Sequence, residues 1–176
     1  MKLHLCIAVA FVLVLASSAQ AAHKLQIFSD AALSETSIAD NAPRIVNLYV
    51  VYSGFNGATG LRFSIKPGPG FTGVWLGETT SFGKAGSSPT DISIGFASCL
   101  PPPILVLTMT YQLFGTSSAC SELRTAPPDG FLVAIAADSD CFFAELPIRD
   151  LQGLHVNCPV ATEPTTWGRV KALYRN

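Results

Sequence analysis

Short apolar stretches, each interrupted by glycine, proline, serine or asparagine, recur along most of the chain. Polar and apolar residues alternate within Lys24–Phe28, Leu61–Lys66 and Asp91–Phe96, which is typical of strands with one buried face. The segment Arg44–Ser53 is rich in the β-branched and aromatic residues that favour strands. A continuous apolar run, Ile104–Phe114, indicates a central strand buried on both faces.

Three weaker segments complete the predicted strands: Val74–Leu76, Phe131–Ala137 and a last core strand near Gly153–Asn157. The Gly/Ser-rich stretch Ser81–Thr90 and the polar stretch Thr116–Gly130 are predicted to be loops. About seven to nine strands result, and the connections are too rich in Pro and Gly for helical crossovers. The pattern therefore predicts an all-β chain folded as an antiparallel β-sandwich.

The first residues have the three parts of a cleavable secretory signal. Lys2 carries the positive charge, Leu5–Ala16 is apolar, and Ala19-Gln20-Ala21 supplies the small residues that a signal peptidase reads. The apolar run is shorter than the roughly 20 residues that a membrane span needs. We therefore expect residues 1–21 to be a signal helix cleaved near Ala21–Ala22, and the product to be secreted, extracellular or periplasmic.

The other end of the chain is predicted to be a linker and an amphipathic tail, residues 159–176, following a sandwich domain at 22–158. Trp167, Val170 and Tyr174 fall on one face of a short basic C-terminal helix. A free helix of about ten residues is marginal in water, so it must dock. Two docking modes stay open: on its own domain, or on a partner, a membrane surface or the export machinery.

Charge and hydropathy exclude several partners. The chain carries 11 Lys and Arg against 12 Asp and Glu, a formal net charge of −1. Such a balance provides no basic footprint for nucleic acid. No stretch after the signal approaches ~18 apolar residues, so no transmembrane segment is predicted in the mature chain.

Cysteine usage predicts disulfides. Once Cys6 leaves with the signal, four cysteines remain: Cys99, Cys120, Cys141 and Cys158. An even number in an oxidising compartment indicates two bridges, with three possible connectivities. We favour Cys99–Cys120 and Cys141–Cys158, because each pair brackets one strand-like segment and its turn. The spacing matches no zinc template.

Candidate chemistry is sparse. The mature chain has no G-x-S-x-G motif, and His155 lies on a predicted strand without a recognisable nucleophile beside it. Asp138 and Asp140 fall on one side of an extended segment, where their oxygens could begin a Ca²⁺ site. The alternative is a charged, solvated loop that ends a strand. Apart from this Ca²⁺, no cofactor is predicted.

Aromatic residues near predicted turns are candidates for ligand binding. Tyr49, Tyr52 and Trp75 have rings that could stack on sugars or anchor a protein interface. Rings of this size also fill the cores of sandwiches. Both interpretations stay open at this point.

Two segments resemble known proteins. Leu48–Tyr52, followed by Gly57–Ile65, resembles the opening of cohesin-like and related immunoglobulin-like sandwiches, where a strand, a Gly-containing turn and an x-φ-x-F-x-φ strand follow one another. The ending Thr166–Arg175 resembles a recurring C-terminus of uncharacterised secreted bacterial proteins. The first resemblance implies an immunoglobulin-like or cohesin-like sandwich; cohesins pair with dockerins.

Together these features predict a secreted, disulfide-stapled module without catalysis, acting at or beyond the bacterial cell surface. Its partner would be an extracellular protein or a glycan. One alternative is a small secreted hydrolase with a site near Asp138, Asp140 and His155. The other is a subunit of an extracellular assembly that exchanges its N-terminal strand or its tail between chains.

Overall fold

The computed structural model describes residues 23–54, 57–137 and 145–158, which form 13 strands. In chain order the strands are β1 (Lys24–Phe28), β2 (Ser37–Ile38), β3 (Pro43–Ser53), β4 (Ala58–Pro67), β5 (Val74–Thr79), β6 (Gly83–Ser87), β7 (Asp91–Leu100), β8 (Ile104–Phe114), β9 (Ser121–Ala126), β10 (Ala134–Ala137), β11 (Glu145–Ile148), β12 (Asp150–Gln152) and β13 (Leu154–Val156). Among these strands only β6 with β7 and β10 with β11 pair as neighbours in sequence, and the other pairings join strands that are further apart in the chain.

The strands form two sheets that face one another. The first has the order β12-β1-β3-β8-β5. The second has the order β11-β10-β4-β9-β13-β2, and β7 pairs with β4 while β6 pairs with β7. The all-β, two-sheet prediction is confirmed, but the sheets are mixed and not purely antiparallel. The short strands β12 and β2 cause the difference, because β12 runs parallel to β1 and β2 runs parallel to β13.

The core lies between the sheets and follows the alternation seen in the sequence. The inward residues of the long strands are buried: Leu48, Val50 and Tyr52 on β3, Leu61, Phe63 and Ile65 on β4, Ile92, Ile94 and Phe96 on β7, and Leu107, Met109 and Tyr111 on β8. Burying each such side chain contributes roughly 1.5 to 3 kcal/mol. This apolar layer positions the outward residues of β4 and β7, which carry the candidate site.

Three details of the predicted strands are corrected. Strand β8 is not buried on both faces, since Leu105 and Phe114 at its ends are each 44% exposed. Strands β6 and β9 occupy stretches predicted to be loops. In β9 the buried residues Ser121, Leu123 and Thr125 alternate with more exposed ones. Because two of these buried residues are polar, the sequence shows no alternation of apolar and polar residues there.

A buried carboxylate ties three distant segments together at one end of the sandwich. Asp40 accepts hydrogen bonds from the backbone N–H groups of Gly115 (2.6 Å) and Ser117 (3.0 Å). Its own N–H donates to the Asn157 side chain at 2.7 Å, and the Asn157 amide donates back to the Asp40 carbonyl at 3.2 Å. The turn before β3, the loop after β8 and the end of β13 are thereby held together.

Several predictions concern residues outside the described ranges. They are the signal helix at 1–21, the Asp138 and Asp140 pair, Cys141, and the tail residues Trp167, Val170 and Tyr174. Within the described ranges, no helix has the length and apolar character needed to cross a bilayer.

Candidate functional site

Three glycines stand in one row across the outer face of the second sheet. Gly95 on β7 is in register with Gly60 on β4 and with Gly83 on β6. Because none of them carries a side chain, the row forms the floor of a depression that crosses the strands. We call this depression the trough; its volume is about 720 Å³. It continues past β4 to Ile135 and Glu145.

One wall of the trough is built on Arg62, the next outward residue of β4. Its guanidinium donates two hydrogen bonds to Asp91, from Nε at 3.0 Å and from an Nη at 2.5 Å. The same guanidinium lies 4.0 Å from the centre of the Phe131 ring, within the range of a cation–π contact. Phe131 is therefore held at the trough edge although it precedes β10.

The trough has an apolar rim. Phe131, Leu132 and Val133 are 42%, 96% and 45% exposed, three consecutive large apolar residues in contact with water. Scattered exposed apolar residues are ordinary, but a contiguous group beside a depression is typical of an interaction surface. The rim therefore offers apolar contact next to the glycine floor.

Charges around the trough are largely paired with their neighbours. Lys84 on β6 is in register with the buried Ile94, so its side chain faces the first sheet and donates to Glu78 of β5 at 3.0 Å, an ion pair that joins the two sheets. The Glu78 side chain is 1% exposed and also accepts from the N–H of Ser88. The hydrogen bonds to Asp91 are the main reason that the pKa of Arg62 is raised, and the charge of Glu145, at the far end of the trough, adds to the rise. The charged side chains at the trough are thus Arg62, which is paired with Asp91, and Glu145.

The lining offers little for catalysis. The trough residues in the described ranges include the hydroxyls of Thr59 and Ser93 but no His or Cys to activate them. Across the described ranges, no group of three His, Cys, Asp or Glu side chains is placed to hold a metal ion. What the trough can provide is contact area and paired charges, which suits binding.

The predicted aromatic candidates are not brought together on one surface. Tyr52 is fully buried, its hydroxyl 2.6 Å from Nδ1 of His23 and its ring stacked on that imidazole. Trp75 packs against the core with its indole N–H buried. Tyr49 is half-buried on the outer face of the first sheet, beside a smaller depression. The core interpretation therefore describes Tyr52 and Trp75 better than a binding platform does.

His155 is exposed on β13, with Ser37 of β2 and Glu122 of β9 in register on either side. Three such residue types in one row could suggest a hydrolytic site. Within the described residues, however, no hydrogen bond joins the His155 ring to either neighbouring side chain. The other members of the predicted hydrolase site, Asp138 and Asp140, lie outside the described residues, so that site stays a prediction.

The predicted cysteine pairing is corrected by the structure. Cys120 is a free thiol and so makes no bridge to Cys99. Its neighbour is instead Cys158, also a free thiol, and a hydrogen bond between the two side chains raises the pKa of Cys158. The prediction failed because β9 lies in a stretch predicted to be a loop, and β9 is what carries Cys120 to the end of β13.

Most trough residues were missed by the sequence analysis. The alternation in β4 correctly places Arg62 on its outer face. The three glycines, however, are far apart in the sequence: Gly83 follows Gly60 by 23 positions, and Gly95 follows Gly83 by 12. Their common row depends on the registers of β4, β6 and β7. No pattern within a single strand reports such a register.

The Arg62–Asp91 pair leads to a testable prediction. The hydrogen bonds from Arg62 hold the pKa of Asp91 below its usual value, in spite of an opposing effect of burial. We expect the pKa of Asp91 to rise in Arg62→Gln, as measured by NMR titration of the carboxyl carbon. Asp30 is the internal control, because its lowered pKa comes chiefly from the backbone N–H of Glu35. An unchanged Asp91, or an equal rise at Asp30, would contradict the assignment.

The two facing sheets form a β-sandwich whose fold is similar to that of cohesin modules. The chain is similar to the cohesin module of a Clostridium perfringens family 33 glycoside hydrolase, with a TM-score of 0.54 and 7% identity over 79% of this chain and 99% of that one. It is also similar to the seventh ScaB type I cohesin of Pseudobacteroides cellulosolvens, with a TM-score of 0.48 and 10% identity over 81% and 96%. At these identities the likeness concerns the fold.

A third similar structure is the third ScaC cohesin of Acetivibrio cellulolyticus in complex with the ScaB dockerin, with a TM-score of 0.45 and 10% identity over 75% of this chain and 98% of that one. Comparison with protein-family models gives no match, and comparison with curated protein sequences gives none either. The fold shared with the Clostridium perfringens module, at a TM-score of 0.54, supports the resemblance noted in the sequence.

Proposed function

We propose that this chain is an exported, non-catalytic module that binds another protein in the trough, on the outer face of β6, β7, β4, β10 and β11. The observation that supports the proposal most directly is the glycine row. Gly83, Gly95 and Gly60 lower the floor of the sheet, while Phe131 and its neighbours present exposed apolar surface beside it. A concave surface with apolar contact and few polar groups is what a binding site requires.

The dimensions of the trough suit a helix. It crosses five strands, and a spacing of about 4.8 Å between strands makes it roughly 19 Å long. A helix rises 1.5 Å per residue, so about 13 residues would fill this length. A strand would instead add to a sheet edge and pair with backbone groups, which the middle of a sheet does not offer.

The proposed partner is therefore a protein that presents an amphipathic helix. Its apolar side would contact Phe131 and Ile135, while its polar flank would meet the charges of Arg62 and Glu145. The cohesin resemblance of the sequence implies a dockerin as the first candidate. A glycan is less well matched, since the exposed rim carries one aromatic ring, Phe131, and otherwise aliphatic side chains.

The proposal is tested by filling the trough. A Cβ built on Gly95 meets no other atom within 4 Å, so Gly95→Trp can place an indole in the trough without disturbing the backbone. We expect the substitution to weaken binding of the partner at least a hundredfold while the melting temperature stays within about 2 °C. Binding is measured by calorimetric titration of the full exported chain, first with dockerin modules and then with proteins captured from the culture medium.

The matched control is Thr79→Trp, which adds the same indole to an exposed position on β5, in the other sheet. This variant should bind as the unmodified chain does. If Thr79→Trp abolishes binding and Gly95→Trp does not, the surface is wrong. If the chain binds oligosaccharides and no protein, the class of partner is wrong.

A further inference from the structure

Cys120 and Cys158 lie side by side at the end of the sandwich where β13 finishes. Strands β9 and β13 are antiparallel, with Ser121 in register with Val156. Beyond this pair the N–H of Cys120 donates to the carbonyl of Asn157 at 3.4 Å, so the two strands remain together as far as the cysteines. The thiol groups are then close enough to hydrogen bond to one another.

The surrounding backbone fixes this arrangement. Asn157 precedes Cys158, and its amide donates to the carbonyl of Ser117 at 2.8 Å as well as to that of Asp40. Its N–H donates to the carbonyl of Ile38 at 3.0 Å. These three hydrogen bonds fix the position of Asn157, and Cys158 follows it directly in the chain. The β9–β13 register places Cys120 opposite Asn157, the residue directly before Cys158, and this brings the two thiol groups together although the cysteines are not register partners.

We propose that Cys120 and Cys158 form a disulfide when the chain reaches an oxidising compartment. The bridge would join the start of β9 to the last described residue of the sandwich, from which the segment 159–176 continues. Without it, β13 is held by three residue pairs to β9 and two to β2. With it, a pull on the C-terminal segment is carried by a covalent bond. The bridge is therefore an anchor for that segment.

The reaction is a thiol–disulfide exchange with a low-molecular-weight disulfide such as oxidised glutathione. Cys120 is exposed and Cys158 is half-buried, so Cys120 is the first to react. Its thiolate attacks the oxidant, forms a mixed disulfide and releases one glutathione thiolate. The Cys158 thiolate then attacks Sγ of Cys120 and releases the second. Two protein thiols are oxidised and one glutathione disulfide is reduced to two thiols, so the electrons balance.

Peptide mapping of the unmodified chain tests the proposal. The chain is refolded with reduced and oxidised glutathione, free thiols are alkylated, and the protein is digested without reduction. Trypsin alone leaves Cys99 and Cys120 on one peptide, residues 85–124, so a second cleavage after Tyr111 or Phe114 is needed. We expect a linked pair of peptides containing Cys120 and Cys158. Alkylated Cys120 and Cys158, or a link from either of them to Cys99 or Cys141, would overturn the proposal.

Variants supply an independent measurement. Cys120→Ser and Cys158→Ser should each lower the melting temperature by roughly 10 °C under oxidising conditions, since the bridge closes a loop of about 40 residues. The double variant should lose no more than either single one, because the same bond is removed. Losses that add, or that persist when all samples are fully reduced, would show that each thiol acts separately and would contradict the bridge.

Discussion

Asp40→Ala lowers the free energy of unfolding by about 3 to 5 kcal/mol, because it leaves the buried N–H groups of Gly115 and Ser117 without an acceptor. Asp40 is 2% exposed, so the N–H groups that it accepts from are largely shielded from solvent. The loss should be measured by urea unfolding followed by far-UV circular dichroism.

The matched control for Asp40 is Asp129→Ala. Asp129 is a second carboxylate with a close partner, Nζ of Lys66 at 2.7 Å, but its side chain is 61% exposed. Exposed pairs contribute about 0 to 1 kcal/mol, so this variant should be nearly as stable as the unmodified chain. Equal losses in Asp40→Ala and Asp129→Ala would show that the buried network does not stabilise the fold.

The same carboxylate sets part of the pH dependence of stability. Burial alone would raise the pKa of Asp40, but the hydrogen bonds from Ser117 and Gly115 outweigh it, so the pKa lies below its usual value. A carboxyl group with a lowered folded pKa stabilises the fold above its unfolded pKa, near 3.9, and this contribution is lost as the pH falls through the folded pKa. Asp40→Asn should lack this acid-sensitive component.

Much of the architecture follows from local patterns. The alternation in Leu61–Lys66 and Asp91–Phe96 correctly places Phe63 and Ile94 inside and Arg62 outside, because a strand with one buried face must alternate. Strand β6 escaped prediction because Gly83–Ser87 has no apolar residue larger than alanine. It is a strand only because β7 offers it an edge to pair with.

Contacts between distant residues could not be read from the sequence. Asp40 accepts hydrogen bonds from Gly115 and Ser117, about 75 positions later in the chain. No pattern in the sequence around Asp40 predicts that its carboxylate is buried. The Cys120–Cys158 contact was missed for the same reason. The sequence analysis paired cysteines that are close in the chain, whereas the pairing of β9 with β13 brings together two that are distant in it. A local pattern predicts whether a side chain is buried or exposed. Only the register between strands determines which residues it contacts.

The proposed binding surface depends on such a register, that of β4 with β7. At Gly60 and Gly95 in this pair, substitutions are expected to affect stability and binding differently. Both glycines face outward, and they are partners in the β4–β7 pair. A Cβ on Gly60 would lie 2.8 Å from the carbonyl oxygen of Ile94, closer than real contacts allow. A Cβ on Gly95 would meet nothing within 4 Å. Two glycines in one row thus have different reasons to lack a side chain.

Valine at each position separates these reasons. We expect Gly60→Val to lower the free energy of unfolding by about 2 to 3 kcal/mol, because the backbones of β4 and β7 must move apart. Gly95→Val should raise it by about 0.5 kcal/mol, since valine suits a strand better than glycine does. Urea unfolding of both variants measures the difference, and changes of the same sign would contradict the close approach at Gly60.

Partner binding gives the second half of this comparison. A valine at position 95 fills part of the trough floor, so Gly95→Val should bind the partner about tenfold more weakly even though the variant is no less stable. If replacing Gly95 stabilises the fold but weakens binding, the glycine serves the shape of the binding surface and not the stability of the fold. If Gly95→Val binds with unchanged affinity, the partner does not reach the trough floor, and the rim formed by Phe131, Leu132 and Val133 would have to account for binding alone.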